Sequence, residues 1–158
     1  MSSVYIVGSL KNIEKIQAFA HELRCCQNVV EVEDAWTSHG DQPDICFYKY
    51  SVGRGWTYAQ ALSCPVATSV FETDKNYIDT ATAVIMLQPC GPSAALELGY
   101  AAGCGKVCVI IKESTTYTKV DIMEKFADII ANNQEDFFIN HLDNFLTKVE
   151  ARSLARKN

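Results

Sequence analysis

The sequence predicts a doubly wound α/β fold, a parallel sheet of about five strands with helices on both faces. Short apolar runs that suit buried strands alternate with longer stretches of helical periodicity. The run 83–87 (AVIML) is continuously apolar, which is typical of a buried strand. The region 82–111 also has the pattern of strand, helix and strand from which parallel sheets are built.

The first half of the chain begins this alternation. Residues 4–7 form a short strand, and residues 11–24 carry apolar side chains at a period of 3.6, as a helix does. Residues 28–32 form a second strand. The segment 37–63 is rich in Trp, Tyr and Phe and contains several glycines, so we interpret it as a long functional insertion.

The second half continues the pattern. Pro65 suits the first position of a helix, and Asp74 is interpreted as the cap of a second, short helix that ends near Asp79. The other predicted elements are strands at residues 82–87, 107–111 and 127–130 and helices at about 93–103 and 134–153.

Length and charge limit the classes of function. At 158 residues the chain is predicted to be one domain, residues 1–158, that buries roughly 70% of its unfolded surface. The net charge of −5 and the pI of about 5.1 argue against binding to nucleic-acid polymers or membrane surfaces. No apolar stretch approaches the roughly 18 residues of a membrane span, and we expect a cytoplasmic protein without a signal peptide.

The cysteines and glycines indicate no cofactor. The seven cysteines are odd in number and lack paired C-x-x-C spacing, so we expect reduced thiols and no metal site. No G-x-G-x-x-G motif follows the first strand, which leaves a dinucleotide site unsupported. The glycines before Lys106 follow a helix and precede a strand, the reverse of a phosphate loop, so we interpret them as a helix cap and turn.

Glu97 is the residue that most strongly indicates a function. It lies in the segment 92–103 (PSAALELGYAAG), in what we predict to be the first turn of a helix. Burying a carboxylate without a partner is costly, and a helix N-terminus offsets about 1 kcal/mol of that cost at most. Strand-to-helix junctions lie at the carboxyl edge of α/β sheets, where ligands bind. Glu97 is therefore a candidate functional group, and the alternative is an ordinary exposed acid.

Other polar and aromatic residues are predicted to lie at the ends of strands near Glu97. Each has a structural alternative, since Tyr5 could belong to the core, Ser9 could cap a helix, and Asp74 and Asp79 could be a cap and a solvated helix face. The candidate site consists of Tyr5, Gly8, Ser9, Asp34, Trp36, Asp74, Asp79, Gly91, Ser93 and Glu97.

Several segments resemble the nucleoside 2-deoxyribosyltransferase superfamily, including its deoxynucleotide N-glycosidase-like members. They are YIVGS at 5–9, D-x-W at 34–36, FETD at 71–74, SAALELGY at 93–100, and Gly105-Lys106 before a strand. The resemblance covers roughly residues 4–111. It implies a flavodoxin-like domain that cleaves or transfers the sugar of a nucleoside or nucleotide at its N-glycosidic bond. It also implies a small-molecule partner, no cofactor, and a homodimer or larger homo-oligomer.

The resemblance also assigns roles to residues. Glu97 would be the nucleophile, Tyr5 would touch the sugar and the nucleophile, and Asp74 would lie near the base. The deoxynucleotide hydrolases of this group place an acid at the start of the third strand, where this chain has Thr82. That departure leaves Asp74 or Asp79 as the acid. Such chemistry passes through an oxocarbenium-like state and uses two carboxyl groups in different protonation states.

Two alternatives to this function stay open at this point. A non-catalytic nucleotide-binding or sensing protein on the same fold is favoured by Thr82. A glycohydrolase of a signalling nucleotide such as NAD would use a similar glutamate. Whether the acceptor is a base or water is open. Whether the substrate carries a 5′-phosphate is open as well. The lack of an Arg/Lys cluster at the predicted site favours an unphosphorylated substrate, whereas Ser9, Lys11 and Ser93 could bind a phosphate.

Overall fold

The computed structural model describes residues 2–26, 30–37, 43–113 and 120–156. Within them a five-stranded sheet has the order β2-β1-β3-β4-β5, and every strand pair is parallel. The predicted doubly wound, flavodoxin-like fold is thereby confirmed. The strands are β1 (Ser2–Val7), β2 (Val30–Glu33), β3 (Ala83–Leu87), β4 (Val107–Ile111) and β5 (Ile129–Ala131).

Helices connect and cover these strands. A π-helical turn joins the last two helices into one C-terminal helical segment. The helices are α1 (Ile13–Cys25), α2 (Pro43–Gly53), α3 (Tyr58–Leu62), α4 (Pro65–Thr80), α5 (Pro92–Gly103), α6 (Gln134–Asp136) and α7 (Leu142–Ala155). None of the helices in the described ranges is long and apolar enough to cross a membrane.

Alternate residues of the strands face two separate cores. In β1, Val4 and Ile6 belong to a cluster that includes side chains of α1 and α7. Tyr5 and Val7 belong to a second cluster with side chains of α4 and α5. Because successive strand side chains point to opposite faces, this alternation directs Tyr5 toward the face that carries α4 and α5.

The region between β2 and β3 differs from its predicted organisation. The described part of the 37–63 insertion contains α2 and α3, and Thr57 and Gln60 form a capping box at the start of α3. The predicted helix break at Asp74 is wrong, because α4 runs without interruption from Pro65 and has no internal glycine or proline. Residues 28–29 of the second predicted strand and residues 38–42 of the insertion lie outside the described residues.

Candidate active site

A cavity of about 1170 Å³ opens beside the carboxyl ends of β1 and β3. The strand order reverses between these two strands, and in doubly wound folds ligands bind in the crevice at such a point. The end of β1 contributes Gly8, α5 contributes Ser93 and Glu97, and α4 contributes Asp74 and Lys75. The cavity is large enough to enclose a small organic ligand.

Glu97 lines this cavity from α5. The helix begins at Pro92, whose fixed backbone suits the first helical position, so Glu97 is in the second turn. The expected place in the first turn is wrong for this reason. Ala94 and Leu98 are buried against the sheet, whereas Glu97 is half-buried on the side that faces the cavity.

Tyr5 is a residue of the sheet whose side chain lies within electrostatic reach of Glu97 and Asp74. Its side chain is 2% exposed, and its ring stacks on Tyr77 of α4 with the ring centroids 5.4 Å apart. Burial raises the pKa of Tyr5, and the negative charges of Glu97 and Asp74 raise this pKa further. The hydroxyl therefore stays protonated at neutral pH and can donate a hydrogen bond. The structure brings these three sequence-predicted residues together.

Trp36 and Gly8 form part of the same cavity wall. The indole Nε1 of Trp36 donates to the carbonyl oxygen of Ile6 at 2.7 Å, which fixes the ring against the end of β1. A Cβ atom at Gly8 would lie 2.6 Å from Cδ1 of the fully buried Ile16, so a side chain there would displace the core. Both predicted residues line the cavity, together with Ser93.

Four predicted site residues are not among the described residues that line the cavity. Ser9 accepts a hydrogen bond from the Lys11 backbone N–H and caps a 3-10 turn. This agrees with the alternative interpretation of Ser9 as a helix cap. Asp34 forms an ion pair with Arg24. Gly91 is the N-cap of α5. The fourth residue, Asp79, forms hydrogen bonds with Lys75 and Tyr100.

Asp79 is poorly suited to donate a proton. Its carboxylate accepts hydrogen bonds from Lys75 Nζ at 2.6 Å and from the Tyr100 hydroxyl at 2.8 Å. The bond from Lys75, and after it the bond from Tyr100, lowers the pKa of Asp79. The carboxyl group is therefore ionised at neutral pH, whereas a general acid must be protonated when its substrate binds.

Thr82 lies at the opposite end of β3 from Gly8 and Ser93, which line the cavity. It precedes β3 and is buried, and its backbone N–H donates to the carbonyl oxygen of Ser3 at 2.8 Å. It is thus at the amino end of β3, while the cavity lies at the carboxyl end. Five residues of strand separate the two edges by roughly 16 Å. Thr82 is not among the described residues that line this cavity.

Sequence reasoning missed most of the wall that α4 provides. Lys75, Tyr77 and Phe71 line the cavity, as does Tyr100 of α5. A continuous helix places residues three and four positions apart on one face, so Asp74 and Tyr77 fall together. The misplaced helix break concealed this pattern. Among the described residues, no group of three or more His, Cys, Asp or Glu side chains is placed to hold a metal ion.

Comparisons with known proteins give a distant structural likeness. No protein-family model matches the chain, and no curated protein matches it. Among solved structures, the chain is similar to a CMP N-glycosidase of Clostridium botulinum, BcmB, with 17% identity and a TM-score of 0.48. The match covers 90% of this chain and 99% of that chain. At this distance the likeness says nothing about what this chain binds.

Proposed function

We propose that this protein cleaves or transfers the N-glycosidic bond of a nucleoside or nucleotide, with Glu97 as the nucleophile. The observation that carries the proposal is the meeting of Glu97, Asp74 and Tyr5 at one cavity, at the point where the strand order reverses. The motifs that resemble the nucleoside 2-deoxyribosyltransferase superfamily assign roles to the same three residues. The proposal therefore rests on two lines of argument.

The reaction proceeds in two displacements. The Glu97 carboxylate attacks the anomeric carbon while the bond to the base breaks, which gives a glycosyl ester on Glu97. The departing base takes a proton from an acid. A water molecule or a second base then attacks the same carbon, gives its proton to the carboxylate of that acid, and releases Glu97 as a carboxylate. Water as the acceptor gives hydrolysis, and a base gives transfer.

Asp74 is the proposed acid, and Tyr5 the proposed partner of the nucleophile. Asp74 lines the cavity, whereas Asp79 is held ionised by Lys75 and Tyr100. The protonated Tyr5 hydroxyl donates a hydrogen bond toward the sugar or the Glu97 carboxylate, which orients the nucleophile. Trp36 and Ser93 also line the cavity and are proposed to contact the substrate.

The second part of the proposal is a homodimer. Leu62, Phe71 and Leu96 line the cavity and are also strongly exposed, Leu96 at 75%. Exposed apolar side chains that cluster around a cavity mark an interaction surface. A second copy of the chain, related by two-fold symmetry, would cover this rim and narrow the cavity mouth.

Product analysis tests the proposed reaction directly. Purified protein is incubated with nucleosides, deoxynucleotides and NAD, with and without a free acceptor base, and the products are separated by chromatography. We expect a released or exchanged base with at least one substrate. Glu97→Gln should lower turnover by at least about 10³-fold, because it keeps the side-chain shape but removes the nucleophile.

The matched control for this experiment is Glu72→Gln. Glu72 is an exposed acid of α4 that is not among the described residues lining the cavity. The Glu72→Gln protein should retain wild-type turnover. A Glu97→Gln protein that is folded and as active as this control would contradict the mechanism. Intact-protein mass spectrometry during slow turnover should show a pentosyl adduct on the wild type and none on Glu97→Gln.

A further inference from the structure

Three polar side chains form a closed contact between α4 and α5, and two of them, Lys75 and Tyr100, also line the cavity. Lys75 Nζ donates to Oδ2 of Asp79 at 2.6 Å, and the Tyr100 hydroxyl donates to Oδ1 of Asp79 at 2.8 Å. The Lys75 ammonium also lies 5.4 Å from the centroid of the Tyr100 ring. We call Lys75, Asp79 and Tyr100 the α4–α5 clamp.

The backbone beneath this clamp is fixed at the C-terminal end of α4. The buried Lys106 donates through Nζ to the carbonyl oxygens of Asp79 and Ala81, at 2.6 Å and 2.8 Å. Arg156, at the end of α7, donates to the same two carbonyl oxygens. These contacts satisfy carbonyl groups that a helix end leaves without partners. The backbone of Asp79 is thus fixed, and Tyr100 of α5 is hydrogen-bonded to its side chain.

The clamp lies next to both proposed reacting groups along the chain. Lys75 directly follows Asp74 on α4. Tyr100 lies one turn beyond Glu97 on α5, and residues three positions apart share a helix face. The two helices are therefore tied together at the level where each presents a carboxyl group to the cavity.

We infer that Lys75, Asp79 and Tyr100 are positioning residues that set the separation between the carboxyl groups of Asp74 and Glu97. The inference rests on the proposed function. In enzymes that cleave glycosidic bonds, this separation decides whether the acid and the nucleophile can act on one bond. A misplacement of about 1 Å can reduce the rate by roughly 10²-fold.

A purely stabilising role would behave differently. Lys75 and Asp79 are partly exposed and lie four residues apart on one helix, with the lysine first. Exposed pairs of this kind contribute little to stability, and this order is the less favourable one. We therefore expect loss of the clamp to reduce turnover much more than it reduces resistance to unfolding.

Steady-state kinetics of Tyr100→Phe, Asp79→Ala and the double variant test the inference. Each single variant should lower kcat by roughly 10- to 100-fold while KM changes by less than about threefold. The double variant should be no slower than the slower single variant, because the two residues act as one unit. Single variants with wild-type kcat, or losses that multiply in the double variant, would overturn the inference.

The matched control is Thr80→Val on the same helix. The Thr80 hydroxyl donates to the carbonyl oxygen of Asn76 at 2.8 Å, a hydrogen bond that stays within α4. Its removal takes one hydroxyl from α4 without touching the contact to α5. The control should keep kcat and KM within about twofold of wild type. A control that loses as much kcat as Tyr100→Phe would overturn the positioning role.

A measurement without substrate separates this inference from the proposed function. The midpoints of urea unfolding are compared for the wild type, both single variants and the double variant. Coupled residues should give a double variant whose midpoint is no lower than that of the less stable single variant. Independent shifts would overturn the clamp itself. The midpoints can show coupling even if the wild type turns over none of the substrates in the panel. That result would overturn the proposed function, and the catalytic role of the clamp with it.

Discussion

The two walls of the cavity are built in different ways. One wall, the sheet wall, comes from the end of β1 and from α5. The other, the helix wall, comes from α4 and from the helices that precede it. Among the described residues, Tyr5, Gly8, Ser93 and Glu97 belong to the sheet wall, and Phe47, Leu62, Asp74, Lys75 and Tyr77 belong to the helix wall.

Backbone pairing fixes the sheet wall. Val7 of β1 pairs with Met86 of β3, so the two strands end side by side and the loops that follow them meet. Asn12 reinforces this meeting, since its side-chain amide donates to the carbonyl oxygen of Pro89 at 2.6 Å. The helix wall is held by side chains, through the stack of Tyr77 on Tyr5 and through the α4–α5 clamp. The proposed nucleophile is thus placed by the sheet and the proposed acid by side-chain contacts.

After Glu97→Gln, the largest effect is expected on the helix wall, from Asp74→Asn. General acid catalysis contributes about 10²–10⁴-fold, so turnover of natural substrates should fall by roughly that factor. The loss should shrink for a substrate whose leaving group departs as a stable anion, because that group needs no proton. Kinetics on matched substrates with good and poor leaving groups measure the difference.

The control for Asp74→Asn is Asp143→Asn. Asp143 is an exposed acid in the first turn of α7 and is not among the described residues lining the cavity. It should leave both rates unchanged. Equal losses on both kinds of substrate would show that Asp74 only orients the ligand. No loss with either would contradict any role of Asp74 in the reaction.

A smaller effect is expected on the sheet wall, from Tyr5→Phe. The change removes one hydroxyl, and a hydrogen bond to a charged group contributes about 1.5–3 kcal/mol, so turnover should fall by roughly 10- to 100-fold. Tyr58→Phe is the matched control, because Tyr58 is exposed on α3 and is not among the described lining residues. Wild-type turnover in Tyr5→Phe would remove Tyr5 from the mechanism.

The raised pKa of Tyr5 also predicts a pH dependence. An unfolded tyrosine ionises near pH 10, whereas burial and the nearby carboxylates keep Tyr5 protonated above that pH. The free energy of unfolding should therefore fall as the pH rises past about 10, and Tyr5→Phe should remove part of that fall. Urea unfolding at pH 8 to 11 measures it. A wild type and a variant with the same pH dependence would contradict the buried, protonated state.

The same difference between the walls explains what the sequence could predict. The apolar runs and the strand-helix-strand pattern predict the sheet, and with it the meeting of Tyr5 and Glu97 at its carboxyl edge. The position of α4 depends on tertiary contacts, such as the stack of Tyr77 on Tyr5 and the hydrogen bond from Tyr100 to Asp79. No local sequence pattern predicts such contacts. For this reason Lys75 and Tyr100 were missed. Asp34 and Ser9 were predicted at a cavity that they do not line, because Asp34 pairs with Arg24 and Ser9 caps a 3-10 turn.

The smallest expected effect concerns the rim, where the two walls meet at exposed apolar side chains. If a second copy covers the rim, light scattering at micromolar concentration should give about twice the chain mass of 17.5 kDa. Leu96→Lys should shift the mass toward the monomer, because a charge buried in an apolar interface is costly. Ile139→Lys is the control, since Ile139 is also exposed but lies in the C-terminal helical segment. A wild type with the monomer mass, or equal shifts in both variants, would contradict an interface at the rim.

Turnover of Leu96→Lys should fall only a few-fold, because Glu97 and Asp74 both belong to one copy of the chain.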